Sequence, residues 1–448
     1  VPRQPNAPLP QPVFGEPVFS EGVPTPDPQQ FKITPNDSGL YAGIQDLLKK
    51  DVVSFQASRM SPHDMFSLQT AWGSHGPEII QQITQAKQIV FHAIGDSGAS
   101  ASRNLPGEIK VSDELTNDCN SSTAADRPAF LYHLGDVVYN FGESLYYYDQ
   151  FYEPFRDYPA PIFAIPGNHD SFIVPNTPAG QEPLTIFTRN FCATSLVVTE
   201  EAGSLHRTAM TQPGVYFTLD APFVRIIGIF SNALEDPGVI SSENGKWTAV
   251  PDLQLDFLNA QFSRIKDEAY AGAVVLAVHH PPFTYAAQKA KGAVAGAGGR
   301  HTGNSVMLGQ IDRICKEVGV YPHAVLAAHS HNYQRYTRKI AFQGMNYSVP
   351  FVVCGDGGHN VNPLVYSRRG QAAQEPADNI DVGYLDVNPY VQANGLTLNK
   401  HDQNNYGYLR IKVDLKQLSI AFHPVNPSNP GSPPIDGVTV DLAKHTIV

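Results

Sequence analysis

Donor side chains stand directly after five short apolar runs of this 448-residue chain. Gly95-Asp96-Ser97-Gly98 follows Phe91–Ile94, and Gly135-Asp136-Val137-Val138-Tyr139 follows Phe130–Leu134. Gly167-Asn168-His169-Asp170 comes after Pro161–Ile165, His279-His280-Pro281 after Ala273–Val278, and His329-Ser330-His331 after Ala324–Ala327. Singly these are weak signals, since a Gly-Asp after a strand is commonly a turn or helix cap and a His-x-His recurs without function. Jointly, two Asp, a Tyr, an Asn and three His offer oxygen and imidazole donors without thiolate, the set suited to Fe, Mn or Zn.

Such donors converge only if the runs are strands of one open α/β sheet, where ligands bind beyond the carboxyl ends and glycine permits sharp turns. From Gln88 onward the pattern is that of an α/β domain. Strand-like runs at Ile89–Ile94, Ala129–Leu134, Pro161–Ile165, Phe223–Ile229, Ala273–Val278, Ala324–Ala327 and Pro350–Val353 alternate with helical patterns at Leu145–Arg156, Asp252–Glu268 and Ser305–Val318. Residues 289–304 and 362–405, rich in glycine or polar residues, read as surface loops, and Tyr408–Val413 with Gln417–His423 reads as a β-hairpin. Ahead of Gln88 lies a proline-rich arm, then helical patterns at Tyr41–Lys50 and Pro77–Lys87. The expected division is residues 1–87 as arm and helices packing on a core, and 88–448 as the catalytic domain with the two inserted loops.

The ordered blocks resemble the calcineurin-like metallophosphoesterases, and more narrowly the purple acid phosphatases, whose blocks run GDxG, GDxxY, GNH(D/E), VxxH and GHxH. Here they stand as GDSG, GDVVY, GNHD, LAVH and AHSH, with Leu276 in place of the Val and Ala328 in place of the Gly. Broader members carry a His at the position of Gly98, for which Tyr139 is the natural replacement. The resemblance runs from about Gln88 to Arg335, with a fainter echo at Gly355-Asp356-Gly357-Gly358. It implies an α/β fold with a two-sheet β-sandwich core flanked by helices and a metal site at the carboxyl ends of strands.

Carried over residue by residue, the resemblance assigns Asp96, Tyr139 and His331 to Fe(III), and Asn168, His279 and His329 to a divalent ion (Fe, Zn or Mn). Asp136 bridges the two. Two metals about 3.5–4 Å apart can clamp a phosphoryl group and activate the water that attacks phosphorus. His169 follows a ligand directly and is expected to act as general acid or phosphate stabiliser, with Asp170 a candidate to orient it. His280 and His301 are expected to contact substrate, and the basic residues Lys289, Lys291 and Arg300 could meet its phosphate.

The implied activity is hydrolysis of phosphate monoesters. A phosphodiesterase or nucleotidase on the same core is the alternative, and a non-catalytic scaffold of the same fold is a third class. Thirty-one basic against 42 acidic residues give a net charge of −11, which argues against binding a nucleic-acid backbone. No run is long enough to span a bilayer. No secretory signal is visible, while the resemblance implies a periplasmic or secreted setting. Of four cysteines, Cys315 and Cys354 lie on apolar faces as core filler, and only Cys119 and Cys192 are candidates to pair. The aromatic residues Tyr146, Tyr147, Phe151, Tyr152 and Phe155 are expected to pack in the core.

Overall fold

The computed structural model describes residues 11–14, 65–99, 104–139, 141–171, 184–203, 205–232, 237–248, 250–285, 301, 303–364, 375–388, 390–425 and 431–448. The strands are β1 (Phe66–Ser67), β2 (Gln88–Ile94), β3 (Leu131–His133), β4 (Ile162–Ala164), β5 (Phe217–Ala221), β6 (Val224–Ile229), β7 (Ala273–Val278) and β8 (Ala324–Ala327). They continue with β9 (Tyr333–Phe342), β10 (Met345–Cys354), β11 (Ile380–Asp381), β12 (Gln392–Asp402), β13 (Gly407–Asp414), β14 (Gln417–Pro424), β15 (Asp436–Asp441) and β16 (Thr446–Ile447). The helices are α1 (Leu68–Ala71), α2 (Gly76–Ala86), α3 (Leu105–Ser121), α4 (Thr185–Phe191), α5 (Leu253–Asp267) and α6 (Ser305–Val318).

These strands form two sheets, β1-β5-β6-β7-β8-β10-β9-β12-β11 and β16-β15-β14-β13-β2-β3-β4. The runs that precede the donor blocks are parallel neighbours: β2, β3 and β4 in one sheet, β7 and β8 in the other. Parallel strands are covered on both faces, which explains why Ala273–Val278 is apolar and buried at every position. One buried apolar cluster draws on both sheets, with Phe91 and Leu131 from one and Ile226 and Leu276 from the other. This mixed α/β core with flanking helices is the architecture expected.

Helix α6 shows how local sequence sets an element. Asn304 caps it by accepting from the Val306 and Met307 N–H groups at 2.9 and 3.3 Å, and the chain leaves it at Gly319 with φ of 86°. Between these caps Met307, Leu308, Ile311, Ile314, Cys315 and Val318 are buried at helical spacing.

Two expectations are corrected. Residues 362–405 are not one loop, because β12 occupies Gln392–Asp402 and pairs antiparallel with β9. Only Leu396, Leu398 and His401 of that strand are buried, so its polar, half-exposed composition hid the period of two. Leu145–Arg156 is no regular α-helix. It is a 3-10 turn at Ser144–Tyr146 followed by a π-helical turn at Tyr148–Tyr152, although Tyr147, Phe151, Tyr152 and Phe155 are buried as expected. Cys119 and Cys192, the open candidates to pair, are buried and form no disulfide, and Cys315 and Cys354 are buried as expected.

Of the proline-rich arm, Gln11–Phe14 is described. The Val13 N–H donates to Thr208 Oγ1 at 3.0 Å, and Phe14 packs edge-on against Trp72. The helical pattern at Tyr41–Lys50, and residues 289–304 apart from His301, Gly303 and Asn304, lie outside the described residues. Among the described residues no helix is long and apolar enough to cross a membrane.

Candidate metal centre

The loops after β2, β3, β4, β7 and β8 meet in one buried place. The Asp96 N–H donates to Gly135 O at 2.9 Å, the Ala328 N–H to His279 O at 2.9 Å, and the His329 N–H to Asp96 Oδ2 at 2.7 Å. Three of the expected ligands, Asp96, Asp136 and His329, have positive φ values of 55°, 56° and 65°. Non-glycine residues seldom adopt that conformation, and it persists where surrounding contacts over-determine it. Here it turns each side chain sharply off its strand end. Gly167 makes room for one of them, since a Cβ on it would lie 2.0 Å from Asp136 Oδ1. Gly98 is also closed to a side chain, because a Cβ there would lie 2.5 Å from Val137 O.

All seven expected ligands are brought together. Tyr139 stands at the middle: its hydroxyl donates toward Asp96 Oδ1 and Asp136 Oδ2, each at 2.9 Å, and lies 3.3 Å from His331 Nε2. His279 Nε2 is 3.1 Å from Asn168 Oδ1 and 3.3 Å from Asp136 Oδ2. Ligand atoms of Asp136, His279 and His329 all lie within 4.8 Å of one another. Outer partners aim the rings: His279 Nδ1 donates to Leu134 O at 2.9 Å, and His331 Nδ1 meets Asn360 Oδ1, so each presents Nε2 to the cluster.

The electrostatics fit a cation. Asp96 and Asp136 are buried, and among the described residues their ion pairs are to histidines, not to Lys or Arg. Burial would raise the Asp136 carboxyl, but His279 and His169 hold it well below the usual range. His279 is in turn raised to about 9, because Asp136 outweighs burial. Burial, then Asp136 and Asp96, push the Tyr139 hydroxyl well up, so in this arrangement it keeps its proton and shares it between the carboxylates. His329 and His301 are held neutral by burial first and neighbouring imidazoles second, which leaves lone pairs available to a metal. Two buried carboxylates with protons held on His279, His331 and Tyr139 around them form a charge arrangement that a bound cation, taking the place of those protons, relieves.

The remaining expected site residues divide. His169 lies in the wall of the cluster, with its ring 4.2 Å from that of Tyr139 and its N–H donating to Asp136 Oδ1 at 2.9 Å. His301 is half-buried beside the cluster, with Nδ1 3.3 Å from His329 Nε2. Asp170 does not orient His169. Its carboxylate accepts the N–H groups of Val137 at 3.0 Å, Val138 at 3.1 Å and Gly167 at 2.9 Å, because the buried loop amides need acceptors. Burial and the nearby Asp136 push that carboxyl up to about 7. His280 is buried, with Nδ1 on Ser231 Oγ at 2.8 Å and its ring 4.1 Å from that of His329.

Several participants escaped the sequence reading. Gln150 clamps Tyr139 by both backbone groups: its Oε1 accepts the Tyr139 N–H at 2.8 Å and its Nε2 donates to Tyr139 O at 2.7 Å. His133 accepts the Gly135 N–H at Nδ1 (3.2 Å) and holds Ser97 Oγ through Nε2 at 2.9 Å, tying the first two blocks together. His359 and Asn360 also touch the cluster. Only these last two had a signal, since they follow the apolar end of β10 and its glycines as the five blocks follow theirs.

Residues 89–333 match the family model of the calcineurin-like phosphoesterases. No curated protein matches the chain. Among solved structures, GAP50, the anchor in the inner membrane complex of Plasmodium, is similar over 77% of this chain and 87% of its own, at 11% identity and a TM-score of 0.46. PhoD is similar over 80% of this chain and 70% of its own, at 12% identity and a TM-score of 0.43. A cold-active protein-tyrosine phosphatase of a psychrophile Shewanella species is similar over 65% and 83%, at 11% identity and a TM-score of 0.23.

Proposed function

Because the chain belongs to the calcineurin-like phosphoesterases, we propose that it is a metal-dependent hydrolase of phosphate monoesters with a dinuclear centre of the purple acid phosphatase type. On this reading Asp96, Tyr139 and His331 hold Fe(III), Asn168, His279 and His329 hold a divalent ion, and Asp136 serves both. The observation that carries it is the Tyr139 hydroxyl, 2.9 Å from both carboxylates in a cluster where Gly98 has no room for a side chain. A phenolate and a carboxylate stabilise the ferric state, whereas amide and imidazole suit a divalent partner. The bound ions would neutralise the phosphoryl oxygens and acidify a water at neutral pH.

The chain's own groups supply the rest. Tyr139 would release to solvent the hydroxyl proton it directs at Asp96 and Asp136 on taking up a cation, and Leu134 O and Asn360 keep the two imidazoles turned inward. His169, anchored through its backbone N–H to Asp136, is the proposed general acid for the departing oxygen. His301, beside His329, is the proposed contact for an entering phosphate.

The test is metal analysis and a visible spectrum of the purified protein, with hydrolysis of monoesters and diesters measured side by side. One iron and one divalent ion per chain, a tyrosinate-to-iron band that disappears in Tyr139→Phe, and faster monoester turnover are expected. Iron at full occupancy without colour, or a band that survives Tyr139→Phe, would overturn the ligand assignment. Zinc or manganese in both positions with faster diester turnover would favour a diesterase.

A further inference from the structure

Directly after β10 the chain runs Gly355-Asp356-Gly357-Gly358-His359-Asn360, and this segment lies against the Tyr139 half of the cluster. The Gly357 N–H donates to Gly95 O at 3.0 Å, the His359 N–H to Asp96 O at 2.9 Å, and His359 Nδ1 to Gly98 O at 2.8 Å. The segment is thereby laced along the whole first donor block. Gly355 is needed for that approach, since a Cβ on it would lie 2.7 Å from Asp96 Oδ2 and 2.3 Å from Ser330 O. The His359 ring then lies flat on Tyr139, with centroids 3.6 Å apart and planes at 13°. With His169 at 4.2 Å on the phenol, Tyr139 is packed against two imidazoles. One residue on, the Asn360 side chain meets His331 Nδ1.

We propose that Gly355–Asn360 is a sixth functional block, in which His359 and Asn360 are positioning residues for one metal position only. His359 fixes the plane of the Tyr139 ring, and Asn360 fixes the tautomer and direction of His331. Both targets belong to the Asp96–Tyr139–His331 side. Neither residue has a described contact with Asn168, His279 or His329, so the effect is one-sided. This rests on the proposed assignment of metal to Tyr139, and the groups that orient a ligand commonly change metal affinity by about 10–100-fold when removed.

Metal-free protein titrated separately with Fe(III) and Zn(II) tests it, following stoichiometry, affinity and the visible spectrum in wild type, His359→Ala, His359→Phe and Asn360→Ala. Wild type should bind two ions per chain. His359→Ala and Asn360→Ala should weaken one position about 10–100-fold, leave the other unchanged and move the absorption maximum of the iron form. His359→Phe keeps a ring on Tyr139 but loses the bond to Gly98, so it should recover part of the affinity and guards against a variant that fails to fold. Equal weakening of both positions, or unchanged affinity and spectrum, would overturn the proposal. A colourless wild type whose variants still lose one ion would instead refute iron on Tyr139 and leave the sixth block standing.

Discussion

At the scale of single residues, His169 separates chemistry from binding. Its backbone is tied to Asp136, yet its ring is not needed to assemble the seven donors: Nε2 is 3.9 Å from Asp136 Oδ2, beyond a hydrogen bond. His169→Ala should therefore retain both metals while kcat falls by ~10²–10⁴. The loss should be smaller for nitrophenyl phosphate, whose leaving group needs little protonation, than for an alkyl phosphate. Metal content and kcat on both substrates measure this, and equal losses on the two would replace acid catalysis with charge stabilisation. Asp170, although adjacent, acts on the backbone, which is why its neighbour in sequence is not its partner in space.

At the scale of elements, the site depends on strand ends that turn more sharply than ordinary residues do. Gly135, with φ of 103°, bends the chain so that Asp136 follows in a positive-φ conformation of its own. Gly167 then lets the next loop close over the Asp136 carboxylate. Gly167→Ala places a methyl group where Asp136 Oδ1 sits, at 2.0 Å, so the carboxylate must leave its position. This single methyl should reduce metal content and lower turnover at least about tenfold, by the same route as losing a group that orients a ligand. Titration of metal into the variant checks it, and native affinity with native turnover would show that the loop yields instead. The π-helical turn Tyr148–Tyr152 has a comparable purpose, since it carries the Gln150 that brackets the Tyr139 backbone.

At the scale of the molecule, the two sheets are joined by a few buried polar contacts. Asp436 on β15 receives Arg335 Nε and Nη2 from β9 at 2.6 and 2.9 Å, and the Tyr333 hydroxyl at 2.7 Å. His323, just before β8, accepts the Val274 N–H at Nδ1 (3.0 Å) and donates from Nε2 to Leu442 O (3.1 Å) beyond β15. Those roles require a neutral ring, and burial lowers the His323 pKa to about 4. An unfolded histidine titrates near ~6.5, so between these values the unfolded chain binds more protons and stability rises with pH. The contribution is complete above about pH 6.5 and is lost toward pH 4 at no more than ~1.4 kcal/mol per unit. Urea midpoints at pH 7, 6 and 5 should thus fall less steeply in His323→Phe than in wild type; parallel slopes would refute the link.

Sequence by itself determined the α/β class and the five donor blocks, while the two-sheet core came only through the family those blocks resemble. It could do so because a parallel strand and the turn after it are a local pattern: an apolar run, a glycine, then a donor. What the tertiary structure decided lies between segments far apart in the chain. Tyr139 meets His331 and Asp96, Gln150 reaches back to Tyr139, and Asp170 serves the amides of the preceding block. His359 covers Tyr139 only because β10 lies beside β8 and its outgoing loop returns along the loop that leaves β2. Likewise β12 is a strand because β9 offers it an edge, not because its own Asn- and Lys-containing sequence demands one. Strand order and packing choose such partners, and hydrophobic periodicity along one segment carries no record of which other segment will stand across from it.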